Sequence, residues 1–250
     1  MRTGPMLVLG LATLLACASG GGSGDDDGGE GDPCEAPAEG PYGIDCGTVA
    51  ACGSEFWVDG KTALSELSGV TYLRGDLTIA SDDLTSLSAL SELRCIEGWL
   101  YFREYGSLDN LNGLENLRYI GADLSIAEGS YDGEENGHLT DLSALANLSV
   151  VGTYMRISDQ HELTDLEGLG SLRTVHAVLI EENPVLENLQ GLGSLEDVDD
   201  GLSVMYNDSL PTCEATGLRD RLIDHGFDGI VCIRDNLADS CGDQMDDGCD

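Results

Sequence analysis

Trp99, Tyr101 and Arg103 fall at every second position of one short segment, and Tyr154 and Arg156 do the same in another. In an extended chain alternate residues project from one face, so each set is a group of rings and guanidinium on a strand surface. Tyr, Trp and Arg are the types that dominate binding hot spots. Here they gather in a chain that is 5% aromatic and carries 11 Lys and Arg against 47 Asp and Glu. Rings on strands also shield the hydrogen bonds of a sheet, so the cluster has a structural reading beside the binding one.

Other chemistry is harder to find. The sequence contains no nucleophile elbow GxSxG, no zinc-binding HExxH, no phosphate-cradling GxxxxGK[ST] and no dinucleotide GxGxxG. His138, His161, His176 and His225 are scattered over a loop, a turn, a corner and a helix end, which reads as surface placement. With 47 acidic residues any chosen carboxylate pair is uninformative. Neither an enzyme nor a bound cofactor is expected. The net charge of −36 repels nucleic acid. It attracts cations, but it also serves solubility. Asp25, Asp26 and Asp27 lack the alternating ligand pattern of a calcium loop and read as solvated spacer.

The elements that must carry the ring and arginine cluster follow from a repeat. Pairs of apolar residues separated by one position open at Leu77/Ile79, Leu100/Phe102, Leu124/Ile126, Met155/Ile157, Val178/Ile180 and Leu202/Val204. Their second members are spaced 23, 24, 31, 23 and 24 residues apart. A fixed period of this size means stacked units, each a supersecondary element that buries its apolar side only against its neighbours. Period two reads as a short strand. Behind it, apolar residues recur at every third position, as in Leu163, Leu166, Leu169, Leu172 and Val175. That spacing is too tight for a long α-helix and predicts short turns, each pointing one side chain inward. Gly113, Gly168 and Gly191 fall at equivalent corners. Phe56 and Val58, with Leu64, Leu67 and Val70 behind them, extend the pattern backwards to about seven coils. The long spacing comes from an insertion, Gly129 to His138, at the corner after the third strand. It is either a rim for the ring and arginine cluster or a tolerated bulge.

In register, the middle outward row is Thr78, Tyr101, Ser125, Arg156, Leu179 and Ser203. Trp99 and Tyr154 belong to the row before it and Arg103 to the row after. All five candidate residues thus share one face.

The segments "LTIASDDLTSLSAL", "YMRISDQHELTDLEGLGSLRTV" and "VLIEENPVLENLQGLGSLEDV" resemble the receptor L-domain, a relative of leucine-rich repeats, over Phe56 to Cys241. The resemblance implies a mainly β, right-handed solenoid with a single strand per coil, disulfide-stapled caps and a short C-terminal helix. Some receptor L-domains bind ligand on a sheet face, and isolated copies occur in bacterial surface lipoproteins. No kinase or spanning helix follows the repeats here, so receptor tyrosine signalling is not expected.

Arg2 and the apolar run Met6 to Ala16 read as an export signal, too short to span a bilayer. Leu14-Leu15-Ala16-Cys17 resembles the bacterial lipobox, which implies acylation of Cys17 and a membrane anchor. Ala18 after it leans toward the outer membrane or cell surface. The expected organisation is signal peptide 1–16, lipidated cysteine and acidic Gly/Ser tether 17–33, N-terminal cysteine cap 34–55, solenoid 56–211, and C-terminal cap with acidic tail 212–250. The other eight cysteines, Cys34, Cys46, Cys52, Cys95, Cys213, Cys232, Cys241 and Cys249, form an even set in an exported chain and read as disulfides. Cys95 is expected to bond one of the first three, and the last four to pair among themselves. "TCEATGLRDRLIDHG" predicts a helix with Leu218, Leu222 and Ile223 on one side, stopped by Gly226. The expected role is a non-enzymatic envelope lipoprotein, either recognising protein or glycan through its sheet face or acting as a structural spacer without a discrete ligand.

Overall fold

The computed structural model describes residues 40–103, 105–127, 138–241 and 244–245. The expectations for Cys17, the signal and tether, Cys34, Cys249 and most of the Gly129–His138 insertion lie outside them.

The elements run β1 (Ala50–Val58), α1 (Lys61–Glu66), β2 (Tyr72–Ala80), β3 (Cys95–Ile96), β4 (Leu100–Arg103), β5 (Tyr119–Ile120) and β6 (Leu124–Ala127). They continue with β7 (Val150–Ser158), β8 (Thr174–Glu181), β9 (Asp197–Met205), α2 (Thr212–Asp224), β10 (Ile230–Arg234) and β11 (Gln244–Met245). All eleven strands join one sheet, parallel throughout except where β11 pairs antiparallel with β10. The protein is mainly β.

Register follows the repeat. Leu77, Leu100, Leu124, Met155, Val178, Leu202 and Val231 pair rung to rung, as do Ile79, Phe102, Ile126, Ile157, Ile180, Val204 and Ile233. Each of these side chains is buried. Behind them the train of threes also stacks. Leu84, Leu108, Leu139, Leu163, Leu186 and Leu210 are all 1% exposed or less, and they belong to one continuous core. Burying each such side chain contributes about 1.5–3 kcal/mol, which no repeat could gain alone.

The corners between them are single 3-10 turns, Ser88–Leu90, Ser143–Leu145, Glu167–Leu169 and Gln190–Leu192. Here an every-third spacing puts successive leucines on the same inward side. A Cβ on Gly168 would overlap the carbonyl oxygen of Leu142, and one on Gly191 that of Leu166. These glycines are needed for close approach to the preceding repeat, rather than for a bend.

A single strand per repeat is found in β2, β7, β8 and β9, but two repeats break it into β3 with β4 and β5 with β6. Each repeat pairs twice. A short ladder runs through Tyr72–Leu73, β3, β5, Val150–Val151, Thr174–Val175 and Asp197–Val198, ahead of the main one. The last member of the leucine train, such as Val175 or Val198, is therefore also the inward residue of a strand. Between the ladders the chain bends at Gly75, Gly98, Gly121 and Gly152; a Cβ on Gly152 would overlap the carbonyl oxygen of Gly121.

The ends also depart from expectation. β1 begins at Ala50, inside the segment read as a cap, and Cys52 sits within that strand. Leu64, Leu67 and Val70 are buried, and a helical turn, α1, carries Leu64. The Cys46–Cys95 disulfide lies in a separate small cluster with Ala50 and Tyr72. It clamps the segment before β1 onto the outer side of the short ladder rather than closing the end of the core.

Cys213 bonds Cys241, tying the start of α2 to the chain beyond β10; Cys52 and Cys232 are disulfide-bonded as well. α2 covers the last repeat with Ala215, Leu218 and Leu222 buried, whereas Ile223 is 50% exposed and does not join them. Glu214 accepts the Leu189 N–H at 3.2 Å and Arg221 donates to the Leu192 carbonyl at 3.0 Å. The helix thus satisfies backbone groups that another repeat would otherwise meet.

One buried feature carries polar groups through the apolar interior. Three residues after each strand's second apolar residue stand Gln160, Asn183, Asn207 and Asn236. The first three are fully buried. Asn183 Nδ2 donates to the carbonyls of Glu181 and Ile157, both at 3.0 Å, and its Oδ1 accepts the Gln160 N–H at 3.1 Å. Asn207 repeats the pattern with Met205, Ile180 and the Asn183 N–H. In the second repeat the buried Tyr105 takes the place of an amide, and its hydroxyl accepts from Gln160 Nε2 at 2.7 Å. The residue before each amide, Asp159, Glu182, Tyr206 and Asp235, has φ between 54° and 59°. That left-handed step, uncommon for non-glycine residues, turns the amide inward.

Candidate ligand-binding face

The outward row opposite the core reads Trp57, Thr78, Tyr101, Ser125, Arg156, Leu179, Ser203 and Cys232 in the paired register. Arg103 is flanked by Ala80, and Ser158 by Ala127. Tyr154 pairs with Ala177. The five candidate residues thus lie on one face, and Trp57, 48% exposed, extends it by one strand. Trp57 was legible in the alternation, since Phe56 and Val58 flank it as an inward pair. Thr78 is only 2% exposed although it points outward, because its register neighbours are Trp57 and Tyr101.

The face has a dent where β6 passes between two strands bearing large side chains. β6 presents Ser125 and Ala127, while β4 presents Tyr101 and Arg103 on one side and β7 presents Tyr154 and Arg156 on the other. The cavity is about 410 Å³ and is lined by these six residues, Asp123 and Leu179 among others. Two rungs separate its walls, about 9.5 Å between strand axes. Trp99 stands outside the dent. Its ring stacks on Tyr101 with centroids 5.1 Å apart and planes at 15°.

Asp123 fixes both walls. One carboxylate oxygen accepts the Tyr101 hydroxyl at 2.8 Å. The other accepts the Tyr154 backbone N–H at 3.1 Å and the Thr153 hydroxyl. Burial, followed by the hydrogen bond to Asp123 and its negative charge, pushes the Tyr101 phenol up to about 12, so it stays a neutral donor. In the preceding repeat Asp76 acts similarly, accepting the Trp99 backbone N–H at 3.1 Å.

The residues divide by role. Trp99 is half-buried, and its indole Nε1 is buried without a hydrogen-bond partner among the described residues. Tyr101 is half-buried and committed to Asp123. Arg103, Tyr154 and Arg156 are exposed. Among the described residues no carboxylate lies within ion-pairing distance of Arg103. Arg156 reaches Glu181 only at 4.0 Å. Beyond Tyr154 and Leu179 a second, more apolar dent of about 280 Å³ runs over Ala177, Gly201, Met205 and Ile230.

The histidines are dispersed. His138 pairs with Glu162 at 2.9 Å, His176 lies 3.6 Å from Asp199, and His225 Nδ1 meets the Arg221 carbonyl at 2.8 Å. His161 borders a third concavity of about 390 Å³ with Asp159, Glu182 and Asp208. There the charge of Asp159 raises the Glu182 carboxyl above its ordinary range.

Comparison of the chain with protein-family models, with curated proteins and with solved structures gives no match. The function is therefore read from the chemistry of the face.

Proposed function

We propose that this chain is a non-enzymatic recognition module of the receptor L-domain type, a right-handed solenoid of about seven coils held to a bacterial cell envelope by acylated Cys17. Its ligand, a glycan or a protein, docks on the outward sheet face. The observation that carries this reading is the dent over Ser125 and Ala127, walled by Tyr101 and Arg103 on one strand and Tyr154 and Arg156 on another. In a strongly acidic chain, Arg103 has no carboxylate within ion-pairing distance among the described residues and Arg156 meets Glu181 only at 4.0 Å, both beside exposed ring surface, which fits an interface anchor. The parallel register and the leucine column support the solenoid. The lipobox-like Leu14-Leu15-Ala16-Cys17 and the acidic spacer behind it support the anchor.

The test is a glycan and peptide array probed with the full chain and with Tyr154→Ala/Arg156→Ala. Binding by the wild-type chain that the double variant loses is the expected result. If the chain retains nothing, or the variant binds as well as the wild type, the face is not the docking surface and the structural-spacer role takes its place.

A further inference from the structure

The chemistry of the face carries further than its use as a docking surface. We propose, resting on that use, that the dent between Tyr101/Arg103 and Tyr154/Arg156 takes a single carboxylate-bearing sugar residue, of uronate type.

The anionic part follows from the arginines. Of the other arginines, Arg74, Arg94 and Arg219 lie 3.1, 2.7 and 2.6 Å from a carboxylate, and Arg173 and Arg234 lie 3.5 and 3.8 Å away. Arg103 has no such partner among the described residues, and Arg156 is 4.0 Å from Glu181, whose other oxygen accepts the Ser203 hydroxyl at 3.1 Å. Two cations on opposite walls of one dent match one carboxylate between them, with the planar fork of arginine suited to it. A polyanion is disfavoured, because the net charge of −36 repels it as a whole.

The sugar part follows from the rest of the lining. Tyr154 offers ring surface against which the C–H face of a pyranose packs. Ser125 on the floor is a hydrogen-bonding group that a sugar hydroxyl satisfies and a bare hydrocarbon acid leaves unmatched. The volume of about 410 Å³ lies within the range of small-ligand sites. An acidic peptide fits less well. β4, β6 and β7 are each paired on both sides, so no strand edge is open to its backbone.

The experiment is calorimetric titration of the full chain with methyl β-glucuronide, methyl β-glucoside and a glutamate-containing tetrapeptide. The glucuronide is expected to bind saturably at millimolar concentration. The neutral glucoside is expected to bind about tenfold more weakly or worse, as is the glucuronide with Arg103→Ala or Arg156→Ala. Both variants are expected to keep the wild-type unfolding midpoint. Equal binding of glucoside and glucuronide, tighter binding of the peptide, or no saturable binding of the glucuronide overturns the assignment. Array binding that needs Arg156 but selects neutral glycans or peptides would overturn this inference alone. Array binding indifferent to the face would overturn the docking surface with it.

Discussion

Two sets of polar residues ride on the same repeats, and they have opposite fates. At the corner after each strand, Gln160, Asn183 and Asn207 are fully buried and bonded from repeat to repeat. On the sheet face, Arg103, Tyr154 and Arg156 are exposed and make few contacts. The corner amides hold the stack together where the chain turns and its backbone groups would otherwise be orphaned. The face residues contribute little to that stack. What separates structure from function here is therefore satisfaction of hydrogen-bonding capacity, not polarity. A polar group whose partners are all internal has none left for a ligand.

The contrast can be broken most sharply at Asn183. Replacement by Leu leaves the Gln160 N–H without its acceptor, at a cost of about 1–3 kcal/mol, and removes the side-chain donor to the Ile157 and Glu181 carbonyls, of which Glu181 keeps the Asp159 N–H at 3.3 Å. Chemical denaturation should record a loss of several kcal/mol; a change below about 1 kcal/mol would mean that the ladder is ornamental. Gly168→Ala tests the same stacking from the backbone side. Its methyl meets the Leu142 carbonyl, and a loss of roughly 1–3 kcal/mol is expected.

On the face, the phenols offer a pH test. Tyr101 and Tyr72 are both raised to about 12, each by burial first, then by their carboxylate partners Asp123 and Glu97. The unfolded chain ionises near 10, whereas the folded chain keeps these phenols neutral. Their contribution is whole below pH 10 and disappears as pH rises from about 10 to 12. Tyr101→Phe should flatten that alkaline decline and cost about 0.5–1.5 kcal/mol at neutral pH. A decline unchanged in the variant would remove Tyr101 from the account. The smallest stability effect is expected for Tyr154→Ala and Arg156→Ala, within about 0.5 kcal/mol by denaturation, although each should weaken ligand binding about tenfold or more.

The outward rows were legible in the sequence because a period-two strand and a near-constant spacing leave one register, and Tyr101, Ser125 and Arg156 fall on neighbouring strands as that register requires. The short ladder was not legible. A two-residue strand such as Cys95–Ile96 has no alternation to detect, and Val175 and Val198 read equally well as the end of the leucine train. The amide ladder did leave a signal, since Gln160, Asn183 and Asn207 each stand three residues after the strand's second apolar residue. It was hidden by chemistry, because Asn at a strand end is also an ordinary turn former. The dent was hidden for another reason. It arises from what Ser125 and Ala127 lack, and small side chains show as a site only once their large neighbours are in register.

The most direct measurement is amide hydrogen exchange on the full chain, with and without the ligand that the array returns. The account predicts slowed exchange confined to Leu100–Arg103, Leu124–Ala127 and Val150–Ser158, with the amide-ladder corner unchanged. Slowing at that corner or at Thr212–Asp224, with those three strands unaffected, would contradict it.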